Sequence, residues 1–251
     1  FVRWGCPRAF CRSGFRAEWK LMATVIAPES LRFKRTVALA RWLQGKMLVR
    51  RLPDGREDAR LIVETEAYCG EKDLASHARA GRTKRTEVMY GGGGVWYVYL
   101  CYGIHEMLNL VTGPPGWPAA ILIRGVEGAV GPGRVTKALG IDRRLNARPM
   151  HPETGLWLED RGVRIPRARV QVTPRIGVDY AGSIWSMKHW RFTVDDRALP
   201  ARRPALPLPK ANSSPARPGR PAPAAPAATT SRDPSARKTA RTARPPPRRD
   251  G

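Results

Sequence analysis

The stretch from Val95 to Val111 leaves this chain few folds to choose from. VWYVYLC is rich in aromatic and β-branched residues, Tyr102-Gly103 can turn, and HEMLNLV continues as a partner strand, so an antiparallel hairpin is predicted. A second hairpin precedes it. Lys46–Leu52 (KMLVRRL) reads as a strand, Pro53-Asp54-Gly55 as a turn and Ala59–Tyr68 as the return strand. Ala119–Arg124 (AAILIR) is a further buried strand that ends in a charge, and Val170–Val172 and Trp190–Val194 follow. Thr36–Gln44 places Val37, Ala40 and Leu43 at helical spacing with Trp42 on the flank, and Gly45 can end that helix. A short helix, Val135–Leu139, is predicted after the Gly-Pro-Gly turn at 131–133. Helices and antiparallel strands mix without a βαβα rhythm. The predicted fold is therefore α+β, a single domain around a curved, mainly antiparallel sheet with flanking helices.

These elements lie within residues 28–198, the predicted folded domain. Residues 1–27 read as a leader of doubtful standing, a Trp, Cys and Arg mixture without the apolar core of a signal peptide, and Met22 is the expected start of translation. Residues 199–251 hold thirteen of the twenty-four prolines among Ala, Ser, Thr and Arg, and are expected to be a disordered basic tail. The formal charge of +24 is the feature that selects a partner, because a field of that sign attracts polyanions such as DNA, RNA or an anionic membrane surface. Both regions contribute: residues 201–251 carry twelve Lys or Arg against two Asp, and the rest of the chain is basic too. The four cysteines have no CxxC pairing, so neither a disulfide framework nor a metal site is expected. No apolar run of about eighteen residues exists, and a membrane span is not expected. The expected location is cytoplasmic and nucleoid-associated for a bacterial protein, nuclear for a eukaryotic one.

The return strand carries an anomaly, the pentapeptide ETEAY. Period two puts Glu64, Glu66 and Tyr68 on one face and Val63, Thr65 and Ala67 on the other. The plain reading is a solvated strand face, and the plain reading of Tyr97, Tyr99 and Tyr102 is core and rim packing. The chemical reading is an enzyme that draws a nucleobase out of the stack, with flat side chains around the base and a carboxylate to activate water against the sugar. On that reading Tyr102, at a hairpin tip, has the shape of a wedge for the minor groove. A glycoside hydrolase using Glu64 and Glu66 fits poorly, because side chains two apart on one strand face point the same way and cannot approach a sugar from opposite sides.

The runs IVETEAYCGEKDLASHARAGRTKRTEVMY, YVYLCYGIHEMLNLVTG with AILIRGVE, GPGRVTKALGI, and PRIGVDYAG with WRF resemble, in order, the alkyladenine (3-methyladenine) DNA glycosylase family over about residues 30–195. The resemblance implies a monofunctional enzyme that flips alkylated or deaminated purines of the 3-methyladenine, 7-methylguanine and hypoxanthine type out of duplex DNA. It implies hydrolysis of the bond to the sugar, leaving an abasic site. Glu66 would be the base and Arg124 would help hold the water. Tyr68, His77 and Tyr99 would line the base pocket, and Asn109 would crowd against the amino group of guanine. Tyr102 would intercalate from a protruding hairpin, and Arg82, Lys84, Arg85 and Arg134 would meet the DNA backbone. The implied partner is double-stranded DNA with damaged purines, bound by a monomer, with no cofactor, no required metal and no membrane.

Each residue also has a structural reading. His77 can cap a turn, Asn109 can serve a buried partner, and the four cations can be solvated. A non-catalytic basic nucleic-acid-binding protein is the alternative for the whole chain. The chain also departs from the family pattern. Only Gly-Ala-Val stands between Glu127 and Gly131 where relatives carry a longer segment, Gly128 replaces a usual proline, and Gly91–Gly94 are four glycines in a row. Such glycines are expected to cost roughly 0.5–1 kcal/mol of stability each wherever a stiffer residue would fit.

Overall fold

The computed structural model describes residues 23–33 and 35–194. The expected start at Met22 and the expected tail from residue 199 lie outside the described residues. Ten strands form one antiparallel system: β1 (Thr24–Val25), β2 (Met47–Arg51), β3 (Glu57–Cys69), β4 (Trp96–Cys101), β5 (His105–Thr112), β6 (Ala119–Val126), β7 (Ala129–Val130), β8 (Leu156–Asp160), β9 (Val170–Thr173) and β10 (Arg191–Val194). Their spatial order is β1-β8-β2-β3-β6-β5-β4, with β10 against β3 and β9, and β7 against β6. The helices are α1 (Thr36–Trp42), α2 (Glu87–Tyr90), α3 (Pro132–Ala138) and α4 (Gly182–Ser186). This is the α+β architecture predicted from strand and helix patterns that mix without a βαβα rhythm. The helix after Gly-Pro-Gly begins inside that turn, with Pro132 at its first position, where a missing N–H costs nothing.

The organising element is β3. It pairs with β2 over Glu57–Leu61, with β6 over Ile62–Cys69 and with β10 over Glu64–Glu66. A strand with neighbours on both edges and layers on both faces is buried throughout, and every residue from Arg60 to Ala67 is buried. The solvated reading of Glu64 and Glu66 is thereby overturned, since their relative exposures are 2% and 0%.

Strict period two fails here as well. The register of β3 on β6 shifts on both sides of Glu64, which marks a β-bulge. As a result Val63 packs with Leu61, Met47, Val49 and Trp157, whereas Ile62 and Ala67 join the main core. Val63 therefore does not share a face with Thr65 and Ala67, as simple alternation predicts.

The main core unites Leu48, Leu108, Leu110, Ile121 and Ile123 of the sheet with Ala40 and Leu43 of the first helical segment and Val135 and Ala138 of α3. Each such aliphatic side chain contributes about 1.5–3 kcal/mol on full burial. Thr65 fixes α1 across β3, donating to the carbonyl of Ala40 and accepting from Gln44 Nε2, both at 2.8 Å. Trp96, fully buried, donates its indole N–H to the Leu156 carbonyl at 2.9 Å.

The glycine departures have local causes. A Cβ on Gly93 would stand 2.5 Å from the Leu31 carbonyl oxygen, and one on Gly94 would stand 2.5 Å from Pro28 Cβ. No stiffer residue fits at these two positions, so the expected stability cost does not arise there. Between β6 and β7 the chain reverses in the two residues Glu127 and Gly128, and Gly128 has φ 78°. Proline is locked near −65° and has no place in a turn this tight.

Candidate active site

Several elements converge on one cavity of about 500 Å³. Glu66 and Tyr68 come from β3, Tyr97 and Tyr99 from β4, Asn109 from β5 and Arg124 from β6. His77 opens a 3-10 turn capped by Ser76, whose hydroxyl accepts from the Ala78 N–H. Ile176, Val178 and Tyr180 arrive from the segment that precedes α4. Seven residues separated by up to fifty-eight positions in the chain, all predicted as site residues, are thus brought together: Glu66, Tyr68, His77, Tyr99, Tyr102, Asn109 and Arg124.

Glu66 forms the floor. Its Oε1 accepts from the backbone N–H of Ile176 at 2.8 Å, and its Oε2 accepts from the Tyr68 hydroxyl at 2.8 Å. Burial raises its carboxyl above the ordinary value, against the opposing pull of Arg124, the Ile176 N–H and the Tyr68 hydroxyl, while Glu64 pushes in the same direction as burial. A carboxylate in that balance is a better proton acceptor than one in water.

The walls are aromatic. The His77 ring meets Tyr99 edge-on at 4.6 Å between centroids, and Tyr99 lies 5.2 Å from Tyr97. His77 Nδ1 is 3.0 Å from the Tyr97 hydroxyl. Burial, aided by Arg85 and Arg79, depresses the His77 pKa to about 4, so the ring is neutral at physiological pH. Tyr68 is held from behind by Arg175, whose guanidinium lies 4.7 Å from the Tyr68 ring and 5.0 Å from Trp190. Arg175 is itself fixed by a fully buried, two-pronged pair with Asp73, at 2.6 and 2.9 Å. Asn109 is buried and donates to the carbonyls of Tyr97 and Met107, which leaves its own Oδ1 as an acceptor.

The rim is basic and ends in a protruding ring. β4 and β5 pair from Trp96–Leu110 to Cys101–His105, and Tyr102 stands at their turn, 92% exposed with φ 50°. Of the predicted backbone cations, Arg85 reaches the cavity and stacks 4.9 Å from Tyr99. Arg82 instead pairs with Glu87 at 2.9 Å and covers Tyr90. Lys84 and Arg134 are exposed and do not line the cavity.

The predicted set lacks Tyr97, Arg175, Asp73 and Ile176. Among forty-five basic residues a single arginine is no signal, and the Ile176 contribution is a backbone N–H. Among the described residues no cluster of His, Cys, Asp or Glu has metal-holding geometry, and no helix is long and apolar enough to cross a membrane.

A buried carboxylate under an aromatic slot, with a basic rim and a solvent-thrust tyrosine, fits a DNA glycosylase, a hydrolase of DNA repair, and comparison with known proteins identifies that class. Proteins that carry the provisional name 3-methyladenine DNA glycosylase are similar to this chain. One from Psychrobacter cryohalolentis is 42% identical over 200 residues, 68% of this chain and 91% of the relative. One from Myxococcus xanthus is 46% identical over 178 residues, 67% and 90% of the two chains, and one from Methanocella arvoryzae is 43% identical over 187 residues, 66% and 91%. The family described as Methylpurine-DNA glycosylase (MPG) matches residues 32–129 and 127–198. The chain belongs to the methylpurine-DNA glycosylase family. The match divides at the Glu127-Gly128 turn, where the connection is short.

Proposed function

We propose that this enzyme flips alkylated or deaminated purines out of duplex DNA and hydrolyses their N-glycosidic bond with water activated by Glu66. The observation that carries this reading is the placement of Glu66: fully buried, anchored by two hydrogen bonds, and open only toward the tyrosine-walled cavity. Glu66 takes a proton from water as the water oxygen bonds to C1′ of the deoxyribose. The bond to the purine breaks, and its electron pair leaves with the base. On a cationic alkylated purine that pair cancels the positive charge, so departure needs no further acid. The route uses no lysine Schiff base and is therefore monofunctional, leaving an abasic site.

The remaining side chains supply capture and selection. Tyr68, Tyr99 and the neutral His77 ring enclose the extruded base, and a cationic base gains about 0.5–2 kcal/mol from each phenol face it meets. Asn109 narrows the slot against the amino group of guanine. Arg124 steadies the water beside Glu66. Tyr102 fills the gap left in the stack, and Arg82, Lys84, Arg85 and Arg134 neutralise phosphates, with the protein acting as a monomer and without a metal.

The test is to incubate the protein with methylated duplex DNA and with an inosine-containing duplex and to identify the free bases. Glu66→Gln should lose base release by at least about 100-fold while binding DNA within about threefold of the parent. Release at the parental rate would refute the role of Glu66.

A further inference from the structure

Behind the cavity, two residues before Glu66 on β3, lies a second carboxylate to which the reaction gives no task. Glu64 is 2% exposed, and its Oε1 accepts two guanidinium N–H groups, from Arg124 Nε at 2.9 Å and from Arg191 Nε at 2.6 Å. Arg191 is secured in turn by a 3.1 Å hydrogen bond from its Nη1 to the Thr173 hydroxyl. Arg124 Nε also stands 3.6 Å from Glu66 Oε1, so one N–H lies between the two carboxylates.

The backbone makes room for this arrangement. The β3 bulge flanks Glu64, and the opposing residue on β6 is Gly125, where a Cβ would stand 2.9 Å from Glu64 Cβ and 3.3 Å from Val63 Cγ2. Two strands from distant parts of the sequence thus grip one carboxylate, and a buried charge is tolerated only when its lone pairs are satisfied in this way.

We propose that Glu64 and Arg191 are positioning residues for the reaction: Glu64 grips Arg124 through Nε and lays its guanidinium across the Glu66 carboxylate, while Arg191 holds Glu64 from the other side. This rests on Glu66 being the base. Nε is the nitrogen engaged, and among the described residues the two terminal amino groups of Arg124 make no hydrogen bond to protein, which frees them for water and substrate at the cavity.

The charged and titratable groups around Glu66 are Glu64 and Tyr68 on β3, Arg124 on β6, Arg191 on β10 and Arg175 with Asp73 behind Tyr68. His77 and Arg85 line the same cavity. Removing the Glu64 charge deletes a like charge and releases Arg124 toward Glu66, and both changes favour the ionised base. Removing the Arg191 charge acts in the opposite direction.

The experiment is single-turnover base release against pH for the full chain and three variants. In Glu64→Gln the acidic limb should move to lower pH and the plateau should fall between about 10- and 100-fold, with DNA affinity changed less than about threefold. In Arg191→Met the limb should move to higher pH, and in Arg191→Lys, which keeps the charge, it should stay near the parental position. Packing loss alone has no reason to move the limb in opposite directions, so limbs that stay in place or move together overturn the pair. A parent that releases no base, or a Glu66→Gln variant at full rate, defeats the underlying reaction instead. In that event the Glu66 carboxyl titration, followed by carbon NMR in folded protein, still decides whether Glu64 and Arg191 set its environment, and unmoved midpoints reject it.

Discussion

Glu66, the proposed base, burdens the fold that buries it. Its carboxyl is raised by burial, so the folded state holds a proton more tightly than the unfolded chain does. The linkage then has one sign: its contribution favours folding below the ordinary carboxylate range and is lost as pH rises through the elevated value. At neutral pH the ionised side chain is a liability, and an amide of the same shape relieves it. Glu66→Gln should therefore be inactive yet more stable at pH 7.5, by about 1 kcal/mol, with the advantage vanishing near pH 4. Urea unfolding at the two pH values measures it, and a variant less stable at pH 7.5 would contradict the burial argument.

At the level of elements, the β4–β5 turn and the Asp73–Arg175 pair make opposite demands. Tyr102 is held in a left-handed conformation that a residue with a Cβ resists by about 1–2 kcal/mol, and its ring is almost fully exposed. Tyr102→Gly should thus leave stability unchanged or raise it by up to about 1 kcal/mol in thermal unfolding, while base release from duplex DNA falls at least about tenfold. The buried pair behaves otherwise. Asp73 binds Arg175 twice and accepts the N–H groups of Cys69 and Ala75, tying the end of β3 to the segment before α4. Asp73→Ala strands a guanidinium in the interior and should cost about 3–5 kcal/mol in chemical denaturation. These elements also differ in how plainly the sequence announces them. The β4–β5 hairpin is legible because aromatic and β-branched residues crowd both sides of Tyr102-Gly103. β8 escapes notice, since LWLED is only five residues long and ends in two acids, and its place between β1 and β2 depends on long-range pairing. The bulge beside Glu64 has no local signature at all.

For the whole molecule, the proposed encounter with DNA is led by charge. One phosphate contact for each of the exposed cations Arg82, Lys84, Arg85 and Arg134 would give a log–log salt slope of about −3.6. Affinity for undamaged duplex should fall on the order of 100-fold between 50 and 200 mM salt, and Lys84→Ala should flatten the slope by about one unit. Fluorescence anisotropy titrations would show this, and a salt-insensitive interaction would exclude the phosphate-led encounter. The site residues legible in the sequence are those to which the resembling runs assign a role. Arg191, Arg175 and Asp73 lie in the same runs without an assigned role, because their meaning comes from partners about a hundred residues away or more. That distance has a consequence for synthesis. Arg191 lies opposite Glu66 on the last described strand, so a ribosome-bound chain stopped short of it lacks the guanidinium that grips Glu64. Such a truncated chain would keep Glu66 and Arg124 but would hold Glu64 by one guanidinium instead of two.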